Sequence, residues 1–210
     1  MEILAHRGLW TSCGQKNSFF AIQKAFQEGF GIETDIRDYK GKLVISHDIG
    51  STSSTCLEDV LDLYKHSAYK GMLALNVKAD GIQEEALKLL EKYCIDRYFF
   101  FDMSVPEMVV YWKKELHFFS RHSDIESPPI MYEYADGVWM DSFFSEKWFT
   151  VETLNNHLKN GKKVGLISPE IHGYSEDKMW EELKANGMQF KDNIFLCTDK
   201  PMTAKEFFGL

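Results

Sequence analysis

The sequence predicts an α/β fold of the (β/α)8 TIM-barrel type, compact and in a single domain over residues 1–210. Two observations carry this. Eight short apolar stretches recur at intervals of roughly 25 residues, and each is followed by a segment with helical or near-helical spacing. Nearly every stretch also ends in a polar or charged residue, at the position where a barrel of parallel strands assembles its site. An open doubly wound sheet is the competing architecture. When it binds nucleotides it uses a Gly-rich first βα turn, and none is present. The chain is short for a barrel, so the loops must be short and one helix reduced.

The elements follow in order. Ile3 to Ala5 is a strand ending in His6-Arg7-Gly8, and Asn17 or Ser18 can cap a helix from Phe19 to Glu28. In Gly31 to Asp48, Ile32, Thr34 and Ile36 alternate with Glu33, Asp35 and Arg37, the period of two of a strand. Asp38 to Lys42 reads as a turn and Leu43 to Ile45 as the return strand of a β-hairpin extension. That hairpin returns His47 to the level of Glu33 and Asp35, whose same-face side chains lie within about 7 Å of each other. Leu57 to Tyr64 is helical, Gly71 to Lys78 a strand, Ile82 to Tyr93 a helix, Tyr98 to Phe101 a strand and Val105 to Lys114 a helix. Leu116 to Ser120 is a strand, followed by Arg121 and His122. Pro128 and Pro129 exclude a regular helix over 123–136. Gly137 to Met140 is a strand, Phe149 to Asn160 a helix, Lys163 to Ile167 a strand, Glu176 to Asn186 a helix and Asn193 to Leu196 a strand; Thr203 to Phe208 is a last partial helix. No insertion domain is expected.

A formal net charge of −8 argues against nonspecific binding to nucleic acid or to anionic membranes. The four cysteines are scattered, as free thiols in a reducing compartment would be. The N-terminus lacks a signal-peptide pattern and no apolar run is long enough to span a bilayer, so a complete, cytoplasmic protein is expected, without stable membrane insertion.

The strand ends supply the chemistry: His6 and Arg7, Glu33 and Asp35, Asn76 and Lys78, Asp102, Arg121 and His122, Asp141, Glu170 and His172, and Asp199. Carboxylates with an amide oxygen suit one hard divalent cation, Mg2+ or Ca2+, and Arg7 and Lys78 suit a phosphate. Trp139 suits an apolar wall for the substrate, and Glu170 a carboxylate binding substrate hydroxyls. Arg121, Asp102, Asp141 and His172 form a second tier. His66 and His157 read as surface residues of helices and His117 as structural, while His122 is open between lining the pocket and not. No serine elbow, HExxH or P-loop motif is present.

Ala5-His6-Arg7-Gly8, Asn17-Ser18, Gly-Ile-Glu-Thr-Asp-Ile, Leu-Val-Ile-Ser-His-Asp, Leu-Asn-Val-Lys and the closing Thr-Asp-Lys-Pro together resemble the glycerophosphodiester phosphodiesterase family, from end to end of the chain. The resemblance implies a barrel that hydrolyses small phosphodiesters with one divalent cation. It implies His6 and His47 as general acid and base, Glu33 and Asp35 as metal ligands with Asn76 third, and Arg7 and Lys78 on the phosphate. It further implies attack by a neighbouring substrate hydroxyl, a cyclic phosphodiester, and hydrolysis of that ring with the histidine roles reversed.

Three features depart from the family pattern. Asn76 stands where the family usually has Glu, which removes one negative charge and leaves Asp102, Asp141 or Glu170 as substitute ligands. Lys16 stands where a Glu usually precedes the first helix. Only residues 49–56 follow His47-Asp48, where many members carry a long insertion, so the mouth should be more open. The alternatives are a divergent member that binds a phosphorylated ligand with weak or no catalysis, and a lyase that stops at the cyclic product.

Overall fold

The computed structural model describes residues 1–210 and is an α/β fold with a curled sheet. Strand β1 (Glu2–His6) lies between β2 (Gly31–Tyr39) and β10 (Ile194–Thr198), both parallel to it. From β2 the parallel run continues through β5 (Leu73–Val77) to β6 (Tyr98–Phe101). From β10 it continues through β9 (Lys163–Ile167) and β8 (Gly137–Met140) to β7 (Phe119–His122). The two ends of the run, β6 and β7, meet at one bridge, Phe100 with Phe118, where the Phe100 N–H donates to the His117 carbonyl at 2.9 Å.

β3 (Lys42–Ile45) runs back antiparallel to β2, with Ile36 opposite Ile45, and the Ser46 N–H donates to the Asp35 carbonyl. β4 (Thr55–Cys56) adds a short third strand to that side.

Helices α1 (Phe19–Gln27), α2 (Leu57–His66), α3 (Gln83–Tyr93), α4 (Val105–Lys113), α5 (Val151–Lys159), α6 (Asp177–Ala185) and α7 (Pro201–Phe208) lie in the connections. Each turns an apolar stripe to the outer face of the sheet; on α1 it is Ala21, Ile22, Ala25 and Phe26. Ser18 caps α1, its Oγ accepting from the Ala21 N–H. No helix forms over 123–136, as the prolines require. α7 starts at Pro201, earlier than expected, because proline suits the first helical turn. No helix is long and apolar enough to cross a membrane, and all four cysteines are free.

The concave face holds a second apolar cluster that includes Leu4, Phe99, Phe101, Phe119, Trp139 and Phe195. The Phe99 and Phe119 rings stack at 3.7 Å and Trp139 lies over Phe101 at 4.1 Å. Glycines make the room. A Cβ on Gly137 would lie 2.6 Å from Cζ of Phe119, and one on Gly165 2.3 Å from Cε3 of Trp139.

β7 begins at Phe119, later than the sequence suggests. Leu116 closes α4 instead, its N–H donating to the Tyr111 carbonyl after Glu115 turns at φ 57°. Arg121 and His122 are therefore on the strand and alternate faces. Arg121 points into the concavity and His122 to the helix side. There His122 Nδ1 lies 2.9 Å from Nε2 of His157, His157 Nδ1 lies 3.0 Å from the Tyr132 hydroxyl, and His122 Nε2 lies 3.1 Å from Ser127 Oγ. This corrects the reading of His157 as a surface residue: it is buried on the stripe of α5. Burial, then the neighbouring His122, pushes the His157 pKa down to about 4. A histidine depressed in the folded state contributes stability above its unfolded pKa, and that stability is lost as pH falls from about 6.5 to about 4. Wild type is expected to lose about 1–2 kcal/mol more stability than His157→Phe over that window. Urea unfolding of both proteins at pH 7 and pH 4.5 checks this, and equal losses in the two would refute it.

Candidate active site

The C-terminal ends of the parallel strands open into one cleft of ≈ 230 Å3. His6, Arg7, Glu33, His47, Asn76 and Lys78 line one half, and Asp102, Arg121, Trp139, Asp141, Phe143 and His172 the other. Local backbone geometry delivers the first pair. β1 ends at His6, and Arg7 takes φ 58° while its N–H holds the Glu33 carbonyl at 2.8 Å. Gly8 follows at φ 89° against the start of α1; a Cβ there would lie 2.6 Å from the Ala21 carbonyl carbon.

His6 is buried, and its Nδ1 lies 2.6 Å from Asp199 Oδ1. Lys16 Nζ reaches the other Asp199 oxygen at 3.1 Å. Burial lowers the His6 pKa against the opposing pull of Asp199. Burial also acts to raise Asp199, but the hydrogen bonds and charges of His6 and Lys16 hold its carboxyl below the ordinary value. With Nδ1–H given to Asp199, the Nε2 edge of His6 faces the cleft, 3.7 Å from Glu33 Oε2. His47 sits across from it, half exposed, with Nδ1 3.0 Å from Asp48.

Asp35 is fully buried and heavily engaged. Asn17 Nδ2 donates to its Oδ2 at 2.8 Å, Arg7 Nε lies 2.9 Å from the same oxygen, and Lys78 Nζ lies 3.4 Å from Oδ1. The Arg7 contact is close but poorly aligned for a hydrogen bond, so it is a charge contact. Burial, then the Asp35 charge, holds Glu33 well above the usual carboxylate range. Burial also raises Asp102, against the pull of Arg121. Asp102 takes φ 64°, a left-handed conformation that costs a non-glycine residue on the order of 1 kcal/mol, and strain of this kind collects at functional positions.

Four buried oxygens here accept no aligned hydrogen bond: Glu33 Oε2, Asp35 Oδ1, Asn76 Oδ1 and Asp102 Oδ1; Lys78 Nζ stands 3.4 Å from the Asp35 oxygen and Arg121 3.2 Å from the Asp102 oxygen. Buried carboxylate and amide oxygens on neighbouring strands are of the chemical kind that a hard cation takes. As the side chains stand, no three His, Cys, Asp or Glu groups converge to ligating distance.

No family model and no curated protein sequence matches the chain. Solved structures do. A candidate glycerophosphodiester phosphodiesterase from Galdieria sulphuraria superposes with a TM-score of 0.78 at 17% identity, covering 100% of this chain and 98% of that one. A phosphodiesterase from Oleispira antarctica, solved in complex with the product sn-glycerol-3-phosphate, gives 0.73 at 16%, covering 100% and 97%. A glycerophosphodiester phosphodiesterase from Parabacteroides distasonis gives 0.70 at 16%, covering 99% and 96%.

The chain has the fold of the glycerophosphodiester phosphodiesterases.

On that fold the structure gathers His6, His47, Arg7, Lys78, Glu33, Asp35 and Asn76 in one place, sets Glu170 differently, and settles the places of Trp139 and His122. Glu170 does not face the cleft. The short helical turn Pro169–His172 after β9 swings its carboxylate under the floor, where it accepts from Ser168 Oγ, from Thr198 Oγ1 at 2.5 Å and from the Asp199 N–H at 3.0 Å. It fixes the turn that carries Asp199. Trp139 belongs to the inner apolar layer and touches the cleft only as its floor. His122 turns to the helix side, as β7's register requires. Among the second tier, Asp141 pairs with His172 (Oδ1 to Nε2, 2.7 Å), which raises the His172 pKa. Arg121 is held by Glu126 at 2.5 Å and by Asp102 at 3.2 Å.

The sequence reading names two residues without the parts they play. Asn17 reads as a helix cap, yet it bridges Asp35 and the Thr34 hydroxyl. Asp199 stands at a strand end in Thr-Asp-Lys-Pro, and that position was the one available signal of its part in orienting His6.

Proposed function

We propose that the chain is a phosphoric diester hydrolase of the glycerophosphodiester phosphodiesterase family, a single-domain (β/α)8 barrel acting on a small phosphodiester through His6 and His47. The observation that supports it most is the pairing, over one cleft, of an Asp199-oriented His6 with an accessible His47, beside Arg7, Lys78 and four buried oxygens that accept no aligned hydrogen bond. Arg7 and Lys78 hold the phosphate and offset the charge that builds on its oxygens. Glu33, Asp35 and Asn76, with Asp102 restoring the charge that Asn76 lacks, would hold one divalent cation, Mg2+ or Ca2+. When bound, that cation draws charge from a nonbridging phosphate oxygen.

Burial keeps His6 neutral, with its Nε2 lone pair available. It accepts the proton of a substrate hydroxyl next to the phosphate, and that oxygen bonds to phosphorus. His47, reached by solvent, gives a proton to the departing alkoxide, so the alcohol leaves and a cyclic phosphodiester remains. Water then opens the ring, with the two histidines exchanging roles and both protons restored. The cytoplasm suits a chain whose thiols are all free.

One observation favours a second reading. Arg7 and Lys78 already engage Asp35, and Asn76 carries no charge, so the same cleft suits a phosphorylated ligand held without turnover. Phosphorus NMR of glycerophosphodiesters incubated with the protein and Mg2+ or Ca2+ tests both. Release of a phosphomonoester is expected. Accumulation of the cyclic ester would make the protein a lyase, and unchanged diester with either metal would favour the binding role. Calorimetric titration is expected to show binding of one Mg2+ or Ca2+ per chain, weakened at least tenfold by Asp102→Ala; unchanged affinity would remove Asp102 from the ligand set.

A further inference from the structure

The most exposed apolar side chains on one end of the molecule ring the cleft. Ile49 is 85% exposed, two residues beyond His47; Phe144 is 81% exposed in the segment after β8; and Phe20 is 76% exposed at the start of α1. Ile125 and Tyr174, after β7 and β9, are also exposed. Phe20, Phe144, Ile125 and Tyr174 follow the C-terminal ends of the parallel strands β1, β8, β7 and β9, the side where the cleft opens; Ile49 follows the antiparallel β3 and stands there because His47, two residues before it, lines the cleft. Two of them are held in place. Asp124 accepts the backbone N–H of Phe143 at 2.9 Å and of Phe144 at 2.7 Å, which ties the Ile125 loop to the Phe144 loop. Exposed large side chains on braced loops forgo burial within their own chain, and apolar side chains gathered on one side of a molecule suit an interaction face.

Charge selects the occupant. Residues 9–20, 49–56, 142–145 and 171–175 contain no Asp or Glu, in a chain that has 32, although Asp48, beside Ile49, is exposed and faces His47. The loop over 123–126 has two acids, and both are engaged: Asp124 on backbone N–H groups and Glu126 on Arg121. The opposite end also shows aromatic side chains, but there charges are interleaved, as in Trp112-Lys113-Lys114-Glu115 and Phe190-Lys191-Asp192. An apolar rim whose few charges, Asp48 and Lys16 among them, are of both signs, on a protein of net charge −8, matches a lipid surface with electrically neutral headgroups and is repelled by an anionic one.

We propose that the rim around the cleft docks on a zwitterionic lipid surface and presents the cleft to a phosphodiester whose other arm carries an acyl chain. The substrate class rests on the phosphodiesterase reading above; the docking does not. Ile49, Phe144 and Phe20 enter the acyl boundary as side chains, so no helix crosses the bilayer.

Flotation with phosphatidylcholine vesicles, with no added substrate, tests the docking. Wild type is expected to float with the vesicles, and to float less with vesicles containing phosphatidylglycerol. Ile49→Ser with Phe144→Ser, two residues outside the proposed catalytic and binding set, is expected to lower the partition coefficient by about tenfold or more. The same double variant is expected to keep wild-type hydrolysis of a water-soluble glycerophosphodiester and to lose it on lysophosphatidylcholine micelles. Absence of flotation at millimolar lipid, or flotation unchanged in the double variant, overturns the proposal. So does a wild-type dimer in sedimentation that the double variant dissociates, since the rim would then belong to a second copy of the chain. Flotation without hydrolysis of any diester leaves the docking standing and removes the phosphodiesterase reading instead.

Discussion

His6→Ala is expected to lower kcat on a soluble glycerophosphodiester by about 10²- to 10⁴-fold, the range general acid–base catalysis supplies. The loss should fall on kcat, because the proposed phosphate ligands Arg7 and Lys78 are untouched and KM should move little. Asp199→Asn is expected to give a smaller loss of kcat. It keeps the shape of the contact, but its amide orients the ring less strongly than a carboxylate 2.6 Å from Nδ1. Steady-state kinetics with thermal unfolding of each variant measures both effects. Activity of His6→Ala within tenfold of wild type, in a folded protein, would sink the assignment.

The second large effect concerns stability. Gly165→Ala is expected to destabilise the fold by about 2–3 kcal/mol, because overpacking a filled interior displaces side chains and backbone. The added methyl would meet the Trp139 ring at 2.3 Å, and that ring is confined by Phe101 and Phe99. Trp139→Leu in the Gly165→Ala background should recover part of the loss, whereas Trp139→Leu alone should cost stability through the cavity it leaves. Additive losses in a urea-unfolding cycle would show that the two residues do not compete for the same space.

The strands were legible because each is apolar, short and followed by a helical period, features that local sequence carries. The start of β7 was not. Leu116, Phe118 and Phe119 are all apolar, and only the turn at Glu115 separates the residue that caps α4 from those that enter the sheet. That shift decides which way Arg121 and His122 face, so the exclusion of His122 from the cleft was out of reach as well. His6, Glu33, Asp35 and Lys78 were readable because strand position alone places them. Asn17, Asp199 and Glu170 act through partners far away in sequence: Asn17 on Asp35, Asp199 on His6 and Glu170 on Thr198. Their residue types are ordinary for helix caps and turns, and no local pattern separates the two uses.

The single bridge between Phe100 and Phe118 gives the curled sheet a seam. Elsewhere neighbouring strands are laced by a ladder; here side chains do most of the fastening. Inside, the stacked rings of Phe99 and Phe119 bind the two edges, and at the rim Asp102 and Arg121 act as a clasp. The seam therefore ends at the cleft, and the clasp is made of residues that line it. Hydrogen exchange at the Phe100 amide reads the parting of these edges separately from global unfolding. Loosening the clasp, by high salt or by Arg121→Ala, widens the mouth on that side while the ladders opposite hold.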